Sequence, residues 1–279
     1  MDFRQSYLDW PAEVSIETFS KCNASCSFCP YPTLDRIGTK MSDEMIGRII
    51  DELKDHPAEF IISPFKVNEP FLDKRLLPIC RKINTELPHA YLRLFTNGSA
   101  LTAEHIRGVA ALERVYHLWI SLNDHDPVQY HETMGLNFER TAANLDALHS
   151  VKENGHFPHP VVVSKVRESN GRDADFLEYV RGRWPLFGTH LIKRDSWTGY
   201  TQDEGGPVPD THCQRWFELN IMADGKVALC CMDGTGEHSI GDLNTHSLFE
   251  VYNQRPQRER RLKLLSRKAA GSPCAGCNY

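Results

Sequence analysis

The apolar positions of this chain follow two alternating periodicities over residues 1–195. Short runs of branched and aromatic residues predict strands, and between them apolar residues recur at helical spacing. For example, Ser42 is a typical helix cap, and the apolar positions from Met45 to Leu53 fall on one face of a helix. Strands that alternate with helices are typical of an α/β fold with a parallel sheet. The six predicted strands are Val14–Phe19, Phe60–Ser63, Tyr91–Phe95, Val115–Leu122, Val161–Val166 and His190–Lys193.

The pattern changes after Asp195. Residues 196–212 are rich in Gly, Pro and polar residues, which indicates a linker or an active-site loop. Two further strands, Phe217–Met222 and Val227–Cys230, flank an Asp-Gly pair that is a strong hairpin-turn signal. A basic helical segment, Leu248–Leu265, follows. We therefore predict a boundary near residue 200, with domains at residues 1–197 and 198–279.

Composition excludes several classes of partner. The chain has 279 residues, of which 41% are hydrophobic and 25% charged, and its net charge is −5. A chain of this charge offers no basic surface for nucleic acid or an anionic membrane. The N-terminus lacks the features of a signal peptide, and no apolar stretch is long enough to span a membrane. Nine cysteines without an export signal then indicate metal ligands in a cytoplasmic protein.

Three of these cysteines, Cys22, Cys26 and Cys29, share one short loop directly after the first predicted strand. Ligands of parallel α/β folds gather at the carboxyl ends of strands, where this loop begins. A [4Fe–4S] cluster held entirely by protein takes four thiolates, so three thiolates leave one iron open. The alternatives are buried thiols or a structural zinc site, although zinc usually takes four ligands in two pairs.

The C-x3-C-x2-C spacing, with Phe28 just before the last cysteine, resembles that of the radical S-adenosylmethionine (SAM) enzymes. The resemblance implies a partial (β/α)6 TIM-type barrel and a [4Fe–4S] cluster whose open iron chelates the amino and carboxylate groups of SAM. It implies that SAM is split to a 5′-deoxyadenosyl radical, which abstracts a hydrogen atom from the substrate. The electron would come from an external reductant of the flavodoxin or ferredoxin type.

The same resemblance implies residues that hold SAM. Family members usually carry a Gly-Gly-Glu-like run after the second strand, and this chain has Asn68-Glu69-Pro70 without the double glycine. Glu69 then corresponds to the contact with the SAM amino group. Polar residues at the ends of the fourth and fifth strands often hold the SAM ribose and carboxylate, although such residues can equally be solvated strand ends. The implied SAM contacts are Phe28, Asn68, Glu69, Ser121, Asn123, Ser164 and Arg167.

A second cysteine set follows residue 200. Cys213 precedes Gly225-x4-Cys230, and Cys274-x2-Cys277 comes near the end of the sequence. This layout resembles the auxiliary-cluster domains of radical SAM enzymes, in the short twitch form rather than the fuller SPASM form. A hairpin and a C-x2-C turn can together supply the four ligands of a second [4Fe–4S] cluster. Tetrahedral zinc remains an alternative.

Two cysteines remain outside these sets. Neighbouring strand positions point to opposite faces, so Cys231 is not expected to share a cluster with Cys230. Cys80 lies in the apolar run Leu76–Ile83 and is predicted to belong to the core.

Length and cysteine layout are most similar to the aminocyclitol alcohol dehydrogenases of this superfamily, the 2-deoxy-scyllo-inosamine dehydrogenase type. In these enzymes an Arg after the sixth strand lies near the substrate alcohol, and Arg194 matches it here. The resemblance therefore implies oxidation of a small sugar- or aminocyclitol-like substrate, with one electron passing to the auxiliary cluster.

Other outcomes stay open. Cys231 as a hydrogen-atom donor would make the protein an epimerase. A peptide maturase, forming thioether or carbon-centred crosslinks, normally has a leader-binding domain, and only thirteen residues precede the first predicted strand. The chain could also be a non-catalytic metal-binding module, in which Arg194 is an ordinary surface residue.

Overall fold

Six parallel strands form the first part of the fold. The computed structural model describes residues 6–168, 171–201 and 205–279. Each strand pairs in parallel with its neighbours in the order β6-β5-β4-β3-β2-β1. The predicted α/β fold with a six-stranded parallel sheet is therefore confirmed. The strands are β1 (Glu13–Ile16), β2 (Phe60–Ser63), β3 (Ala90–Thr96), β4 (Val115–Ser121), β5 (Val161–Val166) and β6 (Gly188–Ile192).

Helices connect these strands. The apolar positions of α1 are buried as its periodicity predicts, and Ser42 caps the helix by accepting a hydrogen bond from the Met45 amide. The segment between β4 and β5 contains two helices, α4 and α5, where the alternating pattern predicts one. Asp126 caps α4 and Pro127 begins it, which is a common start for a helix. The helices of this part are α1 (Asp43–Leu53), α2 (Leu76–Glu86), α3 (Ala103–Ala110), α4 (Pro127–Met134), α5 (Phe138–Glu153) and α6 (Arg172–Arg183).

The C-terminal part extends the same sheet. Strand β7 (Glu218–Ile221) pairs in parallel with β1, on the side opposite β2. Strands β8 (Lys226–Ala228) and β9 (Gly241–Asp242) then add in antiparallel fashion. The predicted hairpin is confirmed, and it completes a nine-stranded sheet with β6 and β9 at its edges. The division into domains at residue 197 stays a prediction.

The predicted basic helix is two helices, α7 (Leu248–Tyr252) and α8 (Arg255–Lys263). Pro256 stands in the first turn of α8. Because proline has no amide hydrogen, it is tolerated at the start of a helix and disrupts its interior. The first helix therefore ends before Asn253, and a second helix begins at Arg255.

The two faces of the sheet differ in polarity. On β1, Val14 and Ile16 are fully buried in the apolar core, whereas Glu13 and Ser15 lie on the other face. Strand β3 alternates in the same way, with Leu92 and Leu94 in the core and Arg93 on the opposite face. We call this face, which bears Glu13, Ser15 and Arg93, the inner side of the sheet. Because side chains alternate along a strand, the inner side receives a polar set.

A buried ion pair joins the first strand to the C-terminal part. Glu17, directly after β1, accepts hydrogen bonds from Arg36 at 2.6 and 3.1 Å, and both side chains are almost fully buried. Arg36 also donates to the carbonyl oxygens of Gly234 and Thr235. Glu17 in turn accepts from the amide of Ala223. The pair therefore fixes the C-terminal hairpin against the loop that follows β1.

Lys66 makes a second connection of this kind. Its ammonium group donates to the carbonyl oxygen of Asp233 at 2.8 Å and to those of Cys230 and Cys231 at 3.5 Å. Burial lowers the pKa of Lys66, and the Glu17 and Asp233 carboxylates act in the opposite direction. Residues 230–235, which we call the carbonyl loop, are thus held by two buried cations.

The Arg36→Met variant should lower the free energy of unfolding by about 3–5 kcal/mol, because it leaves the Glu17 carboxylate buried without its partner. Urea unfolding followed by far-UV circular dichroism measures this. Arg258→Met is the control, because Arg258 pairs with Asp9 at 2.9 Å on the surface and should cost much less. Equal losses in the two variants would contradict the role given to the buried pair.

Candidate active site

A cavity of about 550 Å³ lies on the inner side of the sheet. Its lining includes residues that end or follow β3, β4, β5 and β6, together with residues of β1 and β7. Cys22, Cys26 and Cys29 all line this cavity. The cysteine triplet therefore stands at the carboxyl ends of the strands, as predicted from its position after β1.

Backbone contacts with α4 hold the triplet loop. The amides of Ser25 and Ser27 donate to the carbonyl oxygens of Met134 and Thr133 at 2.9 and 3.0 Å. Gly135 ends α4 in the left-handed conformation, and a Cβ there would collide with the Ser25 hydroxyl. The unpredicted helix α4 thus supports the loop, and glycine is required where the two meet.

The three thiols influence each other's ionisation. Burial raises the pKa of Cys26, and the neighbouring Cys29 and Cys22 thiols raise it further. Burial likewise raises the pKa of Cys22 to about 12. Ionising thiols this close together in a buried site is unfavourable unless a cation compensates the charge. The donor set therefore fits an iron–sulfur cluster, which binds thiolates.

Five of the seven predicted SAM contacts line the same cavity: Phe28, Asn68, Glu69, Ser121 and Asn123. The buried side-chain nitrogen of Asn68 has no hydrogen-bond partner in the described part of the chain, while its oxygen accepts from the Lys66 amide. A buried amide nitrogen without a partner fits a polar ligand at this place.

Glu69 is engaged by the protein itself. Its carboxylate accepts hydrogen bonds from the Thr96 hydroxyl at 2.8 Å, the Asn97 amide at 2.6 Å and the Phe71 amide at 3.2 Å. Burial raises the pKa of Glu69 to about 7. The carboxylate therefore ties the loop after β2 to the end of β3. Its contact with the SAM amino group stays a prediction.

The residues at the ends of β4 and β5 are not equivalent. Asn123 adopts the left-handed conformation and lines the cavity, but its side-chain oxygen accepts from the Val166 amide. Ser164 accepts a hydrogen bond from the Trp119 indole at 2.8 Å and is fully buried. Neither Ser164 nor Arg167 is among the lining residues. Their roles in SAM binding stay predictions that the cavity does not support.

Residues that follow β6 and residues of the C-terminal part also line the cavity. Arg194, directly after β6, lines the cavity together with Lys193 and Asp195. Cys231 lines it from the carbonyl loop, with Met232 beside it. Both residues predicted to be catalytic therefore face the cavity that contains the cysteine triplet.

Three of the four predicted auxiliary ligands lie near each other. Burial raises the pKa of Cys277 to about 11, with further contributions from the Cys213 and Cys274 thiols. Cys274 and Cys277 share one turn, in which the Cys277 amide donates to the Cys274 carbonyl oxygen. A group of thiols suits an iron–sulfur cluster or zinc.

The fourth predicted ligand, Cys230, has different surroundings. Its charged neighbours are Lys66 and Asp233; Cys231 shares Lys66 and also has Glu218 and Arg215 nearby. Within residues 6–168, 171–201 and 205–279, no three Cys, His or carboxylate side chains, those of both predicted cysteine sets included, lie close enough together to bind a single metal ion. The auxiliary ligand set, and the exclusion of Cys231 from it, stay predictions.

Comparison with known families decides the class of this protein. The model of the radical SAM superfamily matches residues 16–164, which is more than half of the chain. The chain belongs to the radical SAM superfamily. A second model, that of the SPASM iron–sulfur cluster-binding domain, matches residues 213–278. Radical SAM membership implies SAM and iron–sulfur clusters as cofactors and requires a reductant and a substrate. The number of clusters stays a prediction.

Solved structures of radical SAM proteins share the fold. BtrN in complex with AdoMet and 2-DOIA is 14% identical, with a TM-score of 0.67 over 96% of this chain and 93% of that one. SuiB of Streptococcus suis bound to its precursor peptide SuiA is 14% identical, with a TM-score of 0.71 over 97% and 70%. The anSMEcpe protein with bound AdoMet is 14% identical, with a TM-score of 0.65 over 91% and 82%. The likeness confirms the predicted partial (β/α)6 TIM-type barrel with a small C-terminal extension.

A search of curated protein sequences returned no match. None of the helices in the described part of the chain is long and apolar enough to cross a membrane.

Several cavity residues were not predicted from the sequence. Trp119 and His190 form part of an aromatic wall, with ring centroids 5.2 Å apart. Asn220 lines the cavity from β7. The alternation of strand residues was the available signal, because it places Trp119 on the same face as the predicted Ser121. Asn220 depends on the pairing of β7 with β1, which no local pattern reveals.

Replacing Cys22, Cys26 and Cys29 together by Ala should remove about half of the iron and all SAM cleavage, because the triplet is expected to hold one of two clusters. Iron per chain and 5′-deoxyadenosine formed after reduction are the measurements. Cys80→Ala is the control, since Cys80 is fully buried in α2. SAM cleavage by the triple variant would overturn the assignment.

Cys230→Ala should lose iron, while Cys231→Ala should keep the iron content of the unaltered protein. The reason is that two adjacent residues with different surroundings are not expected to bind one cluster. Iron analysis and electron paramagnetic resonance of the reduced proteins check this. The reverse pattern would move the ligand role to Cys231.

Proposed function

We propose that this protein is a radical SAM dehydrogenase that oxidises an alcohol carbon of a small sugar- or aminocyclitol-like substrate. When bound, SAM and the clusters supply hydrogen-atom abstraction and the acceptance of one electron. An external protein of the flavodoxin or ferredoxin type would provide the reducing electron. The protein itself must bind the substrate between the two cluster sites, exclude water and orient the reacting carbon.

The observation that carries this proposal is a shared cavity. Its lining includes the cysteine triplet, Arg194 and Cys231. A volume of about 550 Å³ is in the range of pockets that bind small molecules. Bound SAM would take part of this space, which favours a small substrate. Family membership alone does not distinguish the reaction, because the fold is shared with proteins that bind peptides.

Arg194 is the residue proposed to touch the substrate alcohol. A guanidinium group remains a cation at every accessible pH, so it cannot serve as a proton acceptor. It can donate hydrogen bonds to the substrate oxygen and stabilise negative charge that develops there. In an oxidation this lowers the cost of removing the alcohol proton. Arg194 therefore orients the substrate and eases its deprotonation.

Two other reactions have support. Cys231 lines the cavity, and burial raises its pKa well above the ordinary thiol value. It would therefore keep its S–H group and could return a hydrogen atom, which makes epimerisation the second candidate. Formation of a thioether or carbon-centred crosslink in a peptide is the third, because SuiB bound to a precursor peptide has the same fold.

Arg194→Ala should abolish formation of the ketone product, which has two hydrogens fewer than the substrate alcohol. Cys231→Ala should retain turnover. The reason is that a dehydrogenase needs the substrate oxygen oriented but needs no thiol donor. Mass spectrometry of the product after anaerobic reaction in D₂O measures both hydrogen loss and deuterium gain. Arg181→Ala, on the exposed side of α6, is the matched control.

The competing reactions give different results in the same experiment. If Cys231→Ala forms 5′-deoxyadenosine but no product, and the unaltered protein incorporates deuterium, the protein is an epimerase. Crosslinked peptide as the product, with sugars and aminocyclitols unchanged, would establish the peptide-modifying alternative.

A further inference from the structure

Asn220 is a buried amide whose hydrogen-bonding groups are unused. It is 1% exposed and lines the cavity from β7. Neither its side-chain oxygen nor its side-chain nitrogen has a hydrogen-bond partner among the described residues. Leaving a buried donor and acceptor unpaired is costly, and such pairs are rare in folded proteins. Exchanging the two amide atoms changes nothing, because both positions are open.

The strand register fixes what lies around Asn220. Ser15 of β1 stands opposite Asn220. Glu13 stands opposite Glu218, two residues earlier on each strand. Both pairs of residues line the cavity. The triplet loop follows the carboxyl end of β1. Along the strands, Asn220 therefore lies between the Glu13–Glu218 pair and the cysteine triplet.

Two ion pairs line both this cavity and a second cavity of about 1110 Å³, and we call them the charged floor. Glu13 pairs with Arg93 at 2.7 Å, and Glu218 pairs with Arg215 at 2.6 Å. Burial raises the pKa of Glu218 to about 7, and Arg215 opposes this shift. Above that pH each guanidinium is matched by a carboxylate. The floor then has no net charge to attract a phosphate or carboxylate substrate.

The same cavity has an aromatic wall from β3 and β4 that carries one further open polar atom. The rings of Phe95, His117 and Trp119 are neighbours, with centroids 5.2 to 6.4 Å apart. His117 Nε2 is buried without a partner in the described part of the chain. Burial and the nearby Arg93 lower the pKa of His117 to about 4, so this ring is neutral.

From these observations we infer that Asn220 forms a substrate subsite for adjacent hydroxyl, or hydroxyl and amino, groups of an uncharged ring polyol, with His117 offering a further polar contact in the same cavity. A carboxamide can donate to one hydroxyl oxygen and accept from the next hydroxyl. The aromatic wall contacts the apolar face of the ring. This inference rests on the proposed function for its substrate class, and it adds the residues that select the substrate.

The test is calorimetric titration of myo-inositol into the anaerobic protein with SAM and without reductant, at pH 8. Asn220→Leu should weaken binding by about 10- to 100-fold, because the hydroxyls lose both partners. The same substitution should leave the thermal midpoint unchanged or raised, since it removes unpaired buried groups. A residue with only a structural role would lower the midpoint. Iron content verifies the folded state.

Asn84→Leu is the matched control. The side-chain nitrogen of Asn84 is also buried without a partner within the described residues, but Asn84 is in α2, outside the cavity. Binding by this variant should equal that of the unaltered protein. Lys66, Lys193 and Arg194 also line the cavity, so a myo-inositol monophosphate tests the uncharged class directly; it should bind no more tightly than myo-inositol, because the floor near Asn220 offers no unmatched cation.

Each outcome has a distinct meaning. Unchanged affinity in Asn220→Leu, with binding by the unaltered protein intact, overturns the subsite and leaves the proposed dehydrogenase standing. Tighter binding of the monophosphate overturns the uncharged class of substrate. If the unaltered protein binds neither myo-inositol nor an amino-substituted inositol, the inference fails, and oxidation assays with other alcohols then decide the proposed function separately.

Discussion

Two buried cations determine how the parts of this molecule meet. Arg36 lies in the loop after β1 and Lys66 in the loop after β2. Both side chains donate hydrogen bonds to carbonyl oxygens of the carbonyl loop, residues 230–235. Burying a cation is costly unless its hydrogen-bonding groups are satisfied. Here the backbone carbonyls and the Glu17 carboxylate satisfy them. The loop that carries Cys230 and Cys231 can therefore occupy only a narrow range of positions relative to the cysteine triplet and Glu69.

This constraint has a chemical consequence because Lys66 is two residues from Asn68 and three from Glu69. The segment predicted to bind SAM is therefore tied to the carbonyl loop through the hydrogen bonds of the Lys66 side chain. A displacement of either segment breaks hydrogen bonds made by a charged donor, which are stronger than those between neutral groups. The width of the cavity is thus set by the protein's own polar contacts.

Local sequence predicted the six parallel strands, the hairpin and α1, and it placed the cysteine triplet after β1, but it missed α4 and merged α7 with α8. Ser42 and the periodicity after it predict α1, and the Asp-Gly pair predicts the hairpin, because these signals act within a few residues. Strand-end polar residues were harder. Ser121 lines the cavity while Ser164 is bonded to Trp119, yet the two look alike in sequence. Their difference depends on a neighbour in an adjacent strand.

Long-range pairing explains the residues that sequence reasoning missed. Glu17 and Ala223 are hydrogen-bonded although they are 206 positions apart, and the same pairing of β7 with β1 places Asn220 opposite Ser15. Before that pairing is known, Asn220 is one polar residue in an apolar strand, and the local sequence gives no reason for it. Proteins keep such locally unfavourable residues where function requires them. The buried, unpaired amide between two ion pairs and the cysteine triplet is therefore best understood as a group whose partner is the substrate.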